Sequence, residues 1–302
     1  MKHSHRIASV GLLFWMTVST ASAAEKWPLR TVGSPPQAAG YNAFYKKHVD
    51  ADGFPVLSSA KVADVALLEA AWVIDRMLET RPDIRKALIA SKTRFVIMGV
   101  KEFTTQMPEH SDLTPSKYWD RRARGLGATP QRPAVSCGEE NLLRYPGDPY
   151  ITESIIVHEF AHAIHHMGLA HIDKTFDQRL KRIYESAMSS GLWKGKYAAN
   201  NRAEYWAEGV QSYFDTNRKL DHDHNQVDTR EELVEYDPDL AKLIDDVFRG
   251  SKWRYTRPEK RRKLAHLKNY DATQAPTFGW PAELQKWYDA YQAKKKAKAK
   301  TR

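Results

Sequence analysis

Apolar residues recur at helical spacing along much of the chain. In residues 61–79, Leu67, Ala71, Ile74 and Leu78 follow one another at intervals of three or four, which predicts a helix. The same spacing predicts further helices over 150–167, over 174–190, from about 200 to 217, and over YDPDLAKLIDDVF, in which Asp237 caps the helix and Pro238 begins it.

Strand patterns are fewer and shorter than helix patterns. The run TRFVIMGV at residues 93–100 has the β-branched and apolar composition of a buried strand. A shorter strand candidate, RPAVS, lies in the Pro- and Gly-rich stretch 104–150. Residues 25–60 are predicted to be rich in loops, because the Pro and Gly residues there interrupt regular structure. A helix, some strands and then mostly helices predict an α+β fold, mostly helical with a small mixed sheet.

The N-terminus is typical of an export signal. Lys2 and Arg6 precede a short apolar stretch, and the small residues ASAA follow it. We expect cleavage near Ala23 or Ala24, so that residues 1–24 are a signal peptide and the mature protein is secreted or periplasmic. No later run is apolar enough to predict a transmembrane segment.

The net charge of +10 is distributed unevenly. Residues 25–251 hold 30 basic and 33 acidic residues, whereas residues 252–302 hold 15 basic and 4 acidic residues. We therefore predict a body, 25–251, and a basic C-terminal extension, 252–302, with a disordered tail from about 293. The extension predicts weak attraction to anionic surfaces, and no motif indicates specific nucleic-acid binding. The oligomeric state is unknown from the sequence.

One helical segment carries polar groups that a packed helix does not need. In IIVHEFAHAIHHMG, His158 and His162 are four residues apart, so a helix places both imidazoles on one face. Glu159 lies about 100° around the helix from His158. This HExxH arrangement predicts two nitrogen ligands for a metal ion and a general base beside them.

A catalytic zinc ion needs a third protein ligand and an open position for water. The metzincin spacing is excluded, because His165 and Gly168 occupy the places where it requires Gly and His. His165, His166 and His171 are interpreted as polar positions without a role in the chemistry. DHDH at 221–224 is interpreted as an acidic surface loop.

A further candidate source of the third ligand is the segment NNRAEYWAEGVQSYF, residues 200–214. Glu204 and Glu208 are four residues apart on one helix face, and a nearby cation would relieve the repulsion between their carboxylates. One would bind the metal while the other accepts the free N–H of a ligating histidine. Two simpler interpretations stay open: Glu204 in a capping box with Asn201, and Glu208 on a solvated helix face.

With these motifs, the chain resembles the lethal-factor-like branch of the zincin metallopeptidases, which includes the proline-proline endopeptidases. The resemblance rests on HEFAH, on the 42 residues from His162 to Glu204, on Glu208 four residues later, and on Tyr197 seven residues before Glu204. It covers about residues 150–216.

The resemblance implies a zincin-like catalytic domain within residues 25–251, less firmly defined over 25–90. It implies one Zn²⁺ ion held by His158, His162 and Glu204. Glu159 would be the general base, Tyr197 a donor to the oxyanion, and Glu208 an outer partner of a ligand. The positions alone also allow the roles of the two glutamates to be exchanged.

The predicted function is an exported zinc-dependent endopeptidase acting on a peptide or protein substrate. The same residues would serve a zinc amidase acting on cell-wall peptides. A catalytically silent metal-containing binding module is a third possibility, but Glu159 argues against it because a structural site needs no base and fills all four ligand positions. Cys137, the only cysteine, excludes an intramolecular disulfide and is assigned no role.

Overall fold

A five-stranded mixed sheet and a larger set of helices make up the fold, as the predicted α+β class requires. The structure, a computed structural model, describes residues 27–300, so the predicted signal peptide lies outside the described residues. Within that range, no helix combines the length and the apolar character needed to cross a membrane.

Strands and helices are interspersed up to residue 138, and helices follow from there. The strands are β1 (Lys47–Ala51), β2 (Phe54–Ser58), β3 (Arg94–Met98), β4 (Gly125–Leu126) and β5 (Ala134–Gly138). The helices are α1 (Asp64–Met77), α2 (Pro82–Ala90), α3 (Ser116–Arg122), α4 (Glu139–Leu143), α5 (Ile155–Ala163), α6 (Ala170–Ile172), α7 (Phe176–Ser189), α8 (Arg202–Tyr213), α9 (Arg230–Tyr236), α10 (Pro238–Phe248) and α11 (Ala282–Lys300). A π-helical segment, Ile164–Leu169, joins α5 to α6.

The sheet has the strand order β1-β2-β3-β5-β4. The three inner strands are parallel to one another, and each outer strand pairs antiparallel with its neighbour. β1 and β2 form a hairpin through Asp52 and Gly53, both at positive φ. This hairpin was not predicted, because the breakers around residues 25–60 suggested loops and the strands between them are only five residues each.

The predicted strand at residues 93–100 is β3, and it lies in the middle of the sheet. Its side chains alternate between two apolar layers. Phe95 and Ile97 face the large helical core, whereas Val96 joins a small cluster with Leu57 and Tyr45. The free edge near α5 therefore belongs to β4, which pairs with β5 on one side.

The predicted helices agree with the structure apart from their ends. The pattern over 150–167 begins its helix only at Ile155, after the β-region residue Ser154. Asp237 caps α10 as predicted, since its side chain accepts a hydrogen bond from Leu240 N at 3.1 Å. Cys137 is buried in β5.

Residues after 251 pack against the body. The Trp253 ring meets Trp72 of α1 edge to face at 5.8 Å, and α11 packs on α3, where Tyr288 stacks on Tyr118. α11 also continues through the residues from 293 that the composition predicts to be disordered. Alanine and lysine favour helix intrinsically, so a low-complexity run of the two suits a helix.

A buried ion cluster fastens this C-terminal region to α1. Arg261 donates to both Glu69 carboxylate oxygens, and His266 Nε2 lies 2.8 Å from Glu69 Oε2. All three side chains are less than a tenth exposed. These buried charges stabilise one another, because a buried carboxylate without a cationic partner is costly.

Replacing Arg261 with alanine should therefore destabilise the fold. We expect R261A to lose about 3–5 kcal/mol of unfolding free energy, since it strands the Glu69 carboxylate. R262A is the matched control, because the neighbouring Arg262 is exposed. Urea denaturation of both variants measures the difference, and equal midpoints would contradict a stabilising role for the cluster.

Candidate metal centre

Helix α5 presents its two histidines toward a cleft and its apolar residues toward the core. The imidazole centroids of His158 and His162 are 4.9 Å apart, one helical turn from each other. Ile156 and Phe160 are almost completely buried on the opposite side of the helix. The helix is thus an amphipathic element whose polar stripe consists of side chains that could hold a metal ion.

Helix α8 brings Glu204 to these histidines. Asn201 caps α8, and its side-chain oxygen accepts hydrogen bonds from Ala203 N at 2.9 Å and Glu204 N at 3.0 Å. This cap satisfies the helix N-terminus without the Glu204 carboxylate, which contacts the two imidazoles instead. The alternative in which Glu204 completes a capping box therefore does not describe the structure.

Three donor atoms form a nearly equilateral triangle. Glu204 Oε2 is 3.1 Å from His158 Nε2 and 3.4 Å from His162 Nε2, and the two nitrogens are 3.3 Å apart. In a tetrahedral zinc site with bonds of about 2.0–2.1 Å, neighbouring donors are about 3.3–3.4 Å apart. The triangle thus has the size of one face of such a site.

A second carboxylate stands beside this triangle. His158, Glu159 and His162 each offer a ligand atom, and these atoms lie within 4.8 Å of one another. Glu159 is therefore close enough to act at the same ion, while the direct contacts to both Nε2 atoms come from Glu204. This arrangement suits a ligand role for Glu204 and a base role for Glu159.

The electrostatics of the cluster favour a cation. Burial lowers the pKa of His158, but the surrounding Glu204, Glu159 and Glu208 carboxylates outweigh burial and raise that pKa to about 10. Burial raises the pKa of Glu159, although both imidazoles oppose the shift. The carboxylates thus create a negative potential at the two nitrogens, which a bound metal ion would neutralise.

Gln211 contacts His158 at Nδ1, the ring nitrogen that is not part of the triangle. Gln211 Oε1 lies 2.7 Å from His158 Nδ1, and Gln211 Nε2 donates to Glu153 Oε2 at 3.0 Å. The amide oxygen therefore accepts the Nδ1 proton, so a metal ion bound at Nε2 would displace only the proton that faces Glu204. Glu208, predicted to be the acceptor, has its Oε1 3.5 Å from the same Nδ1. Gln211 was assigned no role from the sequence.

Glu208 is not on a solvated face, since it is only 2% exposed. Its Oε2 accepts a hydrogen bond from Asn217 Nδ2 at 3.0 Å and lies 3.3 Å from His224 Nε2. His224 belongs to the DHDH segment that was interpreted as a surface loop. The segment is indeed a loop, but His224 is buried against Glu208 and sequence reasoning missed it.

The other three histidines of this segment are not part of the triangle, although the His166 ring stacks on that of His162 at 6.3 Å. His165 is buried, with its Nε2 3.2 Å from Asp177 Oδ1, and His166 stacks on the His165 ring at 4.2 Å. His171 is exposed. Asp177 already pairs with Arg202, so this histidine cluster is part of a polar network on the outer side of α5.

A cavity of about 350 Å³ lies beside His158, the member of the triangle that lines it. His158 and Glu159 line it together with Tyr197 and Arg122, and the Tyr197 hydroxyl is 3.5 Å from Arg122 Nη2. Burial raises the pKa of Tyr197, so the phenol keeps its proton and stays a donor. Arg122 is a cleft residue that the sequence did not reveal. A larger cavity, about 610 Å³, lies elsewhere and contains none of these residues.

Two glycines let the sheet edge approach α5 closely. A Cβ atom on Gly125 would lie 2.5 Å from Ile155 Cγ2, and one on Gly127 would lie 2.5 Å from His162 Cβ. Real side chains do not tolerate such distances, so only glycine permits this contact. The backbone around β4 consequently lies directly against the helix that carries His162 and Glu159.

No protein-family model and no curated protein matches the chain. Among solved structures, the chain is similar to the PRO-PRO endopeptidase PPEP-2 from Paenibacillus alvei, with 16% sequence identity and a TM-score of 0.44. The match covers 64% of this chain and 96% of that one. The relationship is distant, so the case for a function depends on the side chains described above.

An alanine at position 127 should push α5 away from the sheet edge. We expect G127A to lose about 1–3 kcal/mol of unfolding free energy, because the added methyl group overlaps the His162 side chain. G279A is the control, since a Cβ at Gly279 would meet nothing within 4 Å. Urea denaturation compares the two, and a G127A protein as stable as G279A would refute the close contact.

Proposed function

We propose that the protein is a zinc-dependent endopeptidase in which His158, His162 and Glu204 hold the metal. The main support is the triangle of donor atoms, with edges of 3.1, 3.3 and 3.4 Å, beside the Glu159 carboxylate. Two nitrogen donors and one oxygen donor are a ligand set typical of catalytic zinc. The cavity lined by His158 and Glu159 provides room for water and substrate.

A zinc ion in this site would lower the pKa of a water molecule to about 7 and polarise a carbonyl oxygen. Glu159 accepts the proton of the attacking water and transfers it to the nitrogen of the leaving amine. Burial raises the pKa of Glu159, and this makes the carboxylate a better proton acceptor than an exposed glutamate.

Tyr197 supplies a donor for the charge that develops on the carbonyl oxygen. It lines the same cavity as Glu159, and its ring lies 6.3 Å from that of His158. A fixed hydroxyl donor in a cleft stabilises an oxyanion because it need not reorient during the reaction. Arg122 adds positive charge near the same hydroxyl.

The free edge of β4 suggests how a peptide is bound. An extended segment can pair with an open strand edge through main-chain hydrogen bonds. β4 ends the sheet next to α5, and Gly125 lines the cavity together with Glu159. A peptide or protein substrate would thereby pass its scissile bond in front of the triangle. Export after cleavage near Ala23 or Ala24 remains part of the proposal.

Substitution of Glu159 and Glu204 separates their two roles. We expect E159Q to bind one zinc ion per chain but to lose about 10²–10⁴-fold in kcat, because it lacks the general base. E204Q should bind zinc more weakly than the wild type. We expect its zinc affinity to fall by more than the 10–100-fold that is typical when a residue in contact with a metal ligand is replaced. Zinc content by mass spectrometry and cleavage of a peptide library by residues 25–302 provide the measurements.

Glu235, which is exposed on α9, supplies the control variant E235Q. It should match the wild type in zinc content and in cleavage rate. Undiminished zinc affinity in E204Q would refute the third-ligand assignment. Wild-type turnover in E159Q would refute the assignment of the base.

Tyr197→Phe should slow the chemical step alone. We expect kcat to fall about 10²–10³-fold, as for the loss of one oxyanion donor, with zinc affinity unchanged. Y41F is the control, because Tyr41 lines the other cavity. Steady-state kinetics on a cleaved library peptide test this, and an unaltered kcat would remove Tyr197 from the mechanism.

A further inference from the structure

We propose that the loop Asp221–His224 is a positioning element of the metal centre. In this proposal, His224 holds the Glu208 carboxylate in place behind His158, and the backbone of the same loop holds Tyr197 in front of it. The inference rests on the proposed function and extends it to a loop that supplies none of the proposed metal ligands.

A chain of close contacts runs from the loop to a proposed ligand. Asp221 Oδ1 is 2.8 Å from His224 Nδ1, and His224 Nε2 is 3.3 Å from Glu208 Oε2. The other Glu208 oxygen, Oε1, is 3.5 Å from His158 Nδ1. His224 is only 5% exposed, so the inner part of this chain is shielded from water.

Hydrogen bonds fix both ends of this series of contacts. Asp221 Oδ1 also accepts hydrogen bonds from the backbone nitrogens of Asp223 and His224, each at 2.8 Å. This Asp turn determines the direction in which the His224 ring points. At the inner end, Asn217 Nδ2 donates to Glu208 Oε2 at 3.0 Å. The imidazole therefore has a defined position relative to Glu208.

The charge of Glu208 explains why the imidazole matters. Both His224 nitrogens face a carboxylate, so each carries a proton and the ring is cationic. Burial lowers the pKa of His224, but Glu208 and Asp221 outweigh it and leave the pKa above its ordinary value. Without this cation, Glu208 would be a buried carboxylate close to His158 Nδ1. It would then compete with Gln211 for the proton on that nitrogen. His224 thus controls the orientation of His158 through Glu208.

The backbone of the same loop reaches the other side of the site. Tyr197 N donates to Asp223 O at 2.8 Å. The adjacent Lys196 ammonium lies 3.2 Å from Asp221 O and 3.3 Å from His222 O. A displacement of the loop would therefore move the proposed oxyanion donor together with Glu208.

The loop contains its own control residue. His222 is two positions from His224 and has the same chemistry, but its side chain is 95% exposed and pairs with Asp223 rather than with Glu208. A comparison of H224Q with H222Q therefore separates the buried contact from general effects of changing the loop. Glutamine keeps a polar side chain of similar length and removes the cationic charge.

The experiment measures metal binding directly. Zinc affinity is determined by competition with a chromophoric chelator, and the visible spectrum of the cobalt-substituted protein reports the ligand geometry. We expect H224Q to bind zinc about 10–100-fold more weakly and to alter the cobalt spectrum, with H222Q unchanged. The effect of H224Q on zinc affinity should largely disappear in an E208Q background, because His224 acts through Glu208.

Several results would overturn the proposal. One is a folded H224Q protein with the zinc affinity and cobalt spectrum of the wild type. Another is additivity of H224Q and E208Q, which would indicate independent roles. If H224Q does not fold, as judged by circular dichroism, D221N tests the same contact from the outer side and should shift the cobalt spectrum in the same direction; an unshifted spectrum would count against the proposal. A wild-type protein without zinc would overturn the proposed function and this inference together, whereas a wild type that binds zinc confines the failure to the loop.

Discussion

The site depends on the contact between α5 and α8, two helices that are far apart in the chain. The buried indole of Trp206 donates from Nε1 to the Ala161 carbonyl oxygen at 2.9 Å. Trp206 lies two residues after Glu204, and Ala161 immediately precedes His162. Together with the contact of Gln211 Oε1 with His158 Nδ1 at 2.7 Å, this hydrogen bond sets the position of α8 along α5, at which the Glu204 carboxylate meets both imidazoles. A shift of one residue along α8 would rotate Glu204 by about 100° and separate the donors.

Charge balance explains why so many carboxylates are tolerated near one another. The outer carboxylates have cationic partners, since Arg218 Nε lies 2.8 Å from Glu153 and His224 pairs with Glu208. Glu159 and Glu204 instead face the two imidazoles. A divalent cation bound by neutral imidazoles would balance these two negative charges. An excess of buried and partly buried carboxylates is costly in isolation and consistent with a metal site.

The local part of this arrangement was predictable and the long-range part was not. The i, i+4 spacing of His158 and His162 follows from helix geometry, and so does the cap formed by Asn201. The approach of Glu204 was inferred from family resemblance, because no periodicity connects residues 42 positions apart. Gln211 and His224 were missed as functional residues, because their roles arise only from tertiary contacts to His158 and Glu208. The β1–β2 hairpin was missed because a loop-like composition concealed two short strands.

Four of the segments around the cleft constrain how the site can vary. α5 supplies the histidines and Glu159, the β4 edge approaches through Gly125 and Gly127, and α8 supplies Glu204. The loop 221–224 is the fourth segment, and it touches both the rear of His158, through Glu208, and the backbone of Tyr197. The groups proposed to face the substrate and those proposed to face the metal therefore share one support. Loops usually accept substitution easily, but a loop that supports both sides of a reaction centre cannot adjust one side without displacing the other.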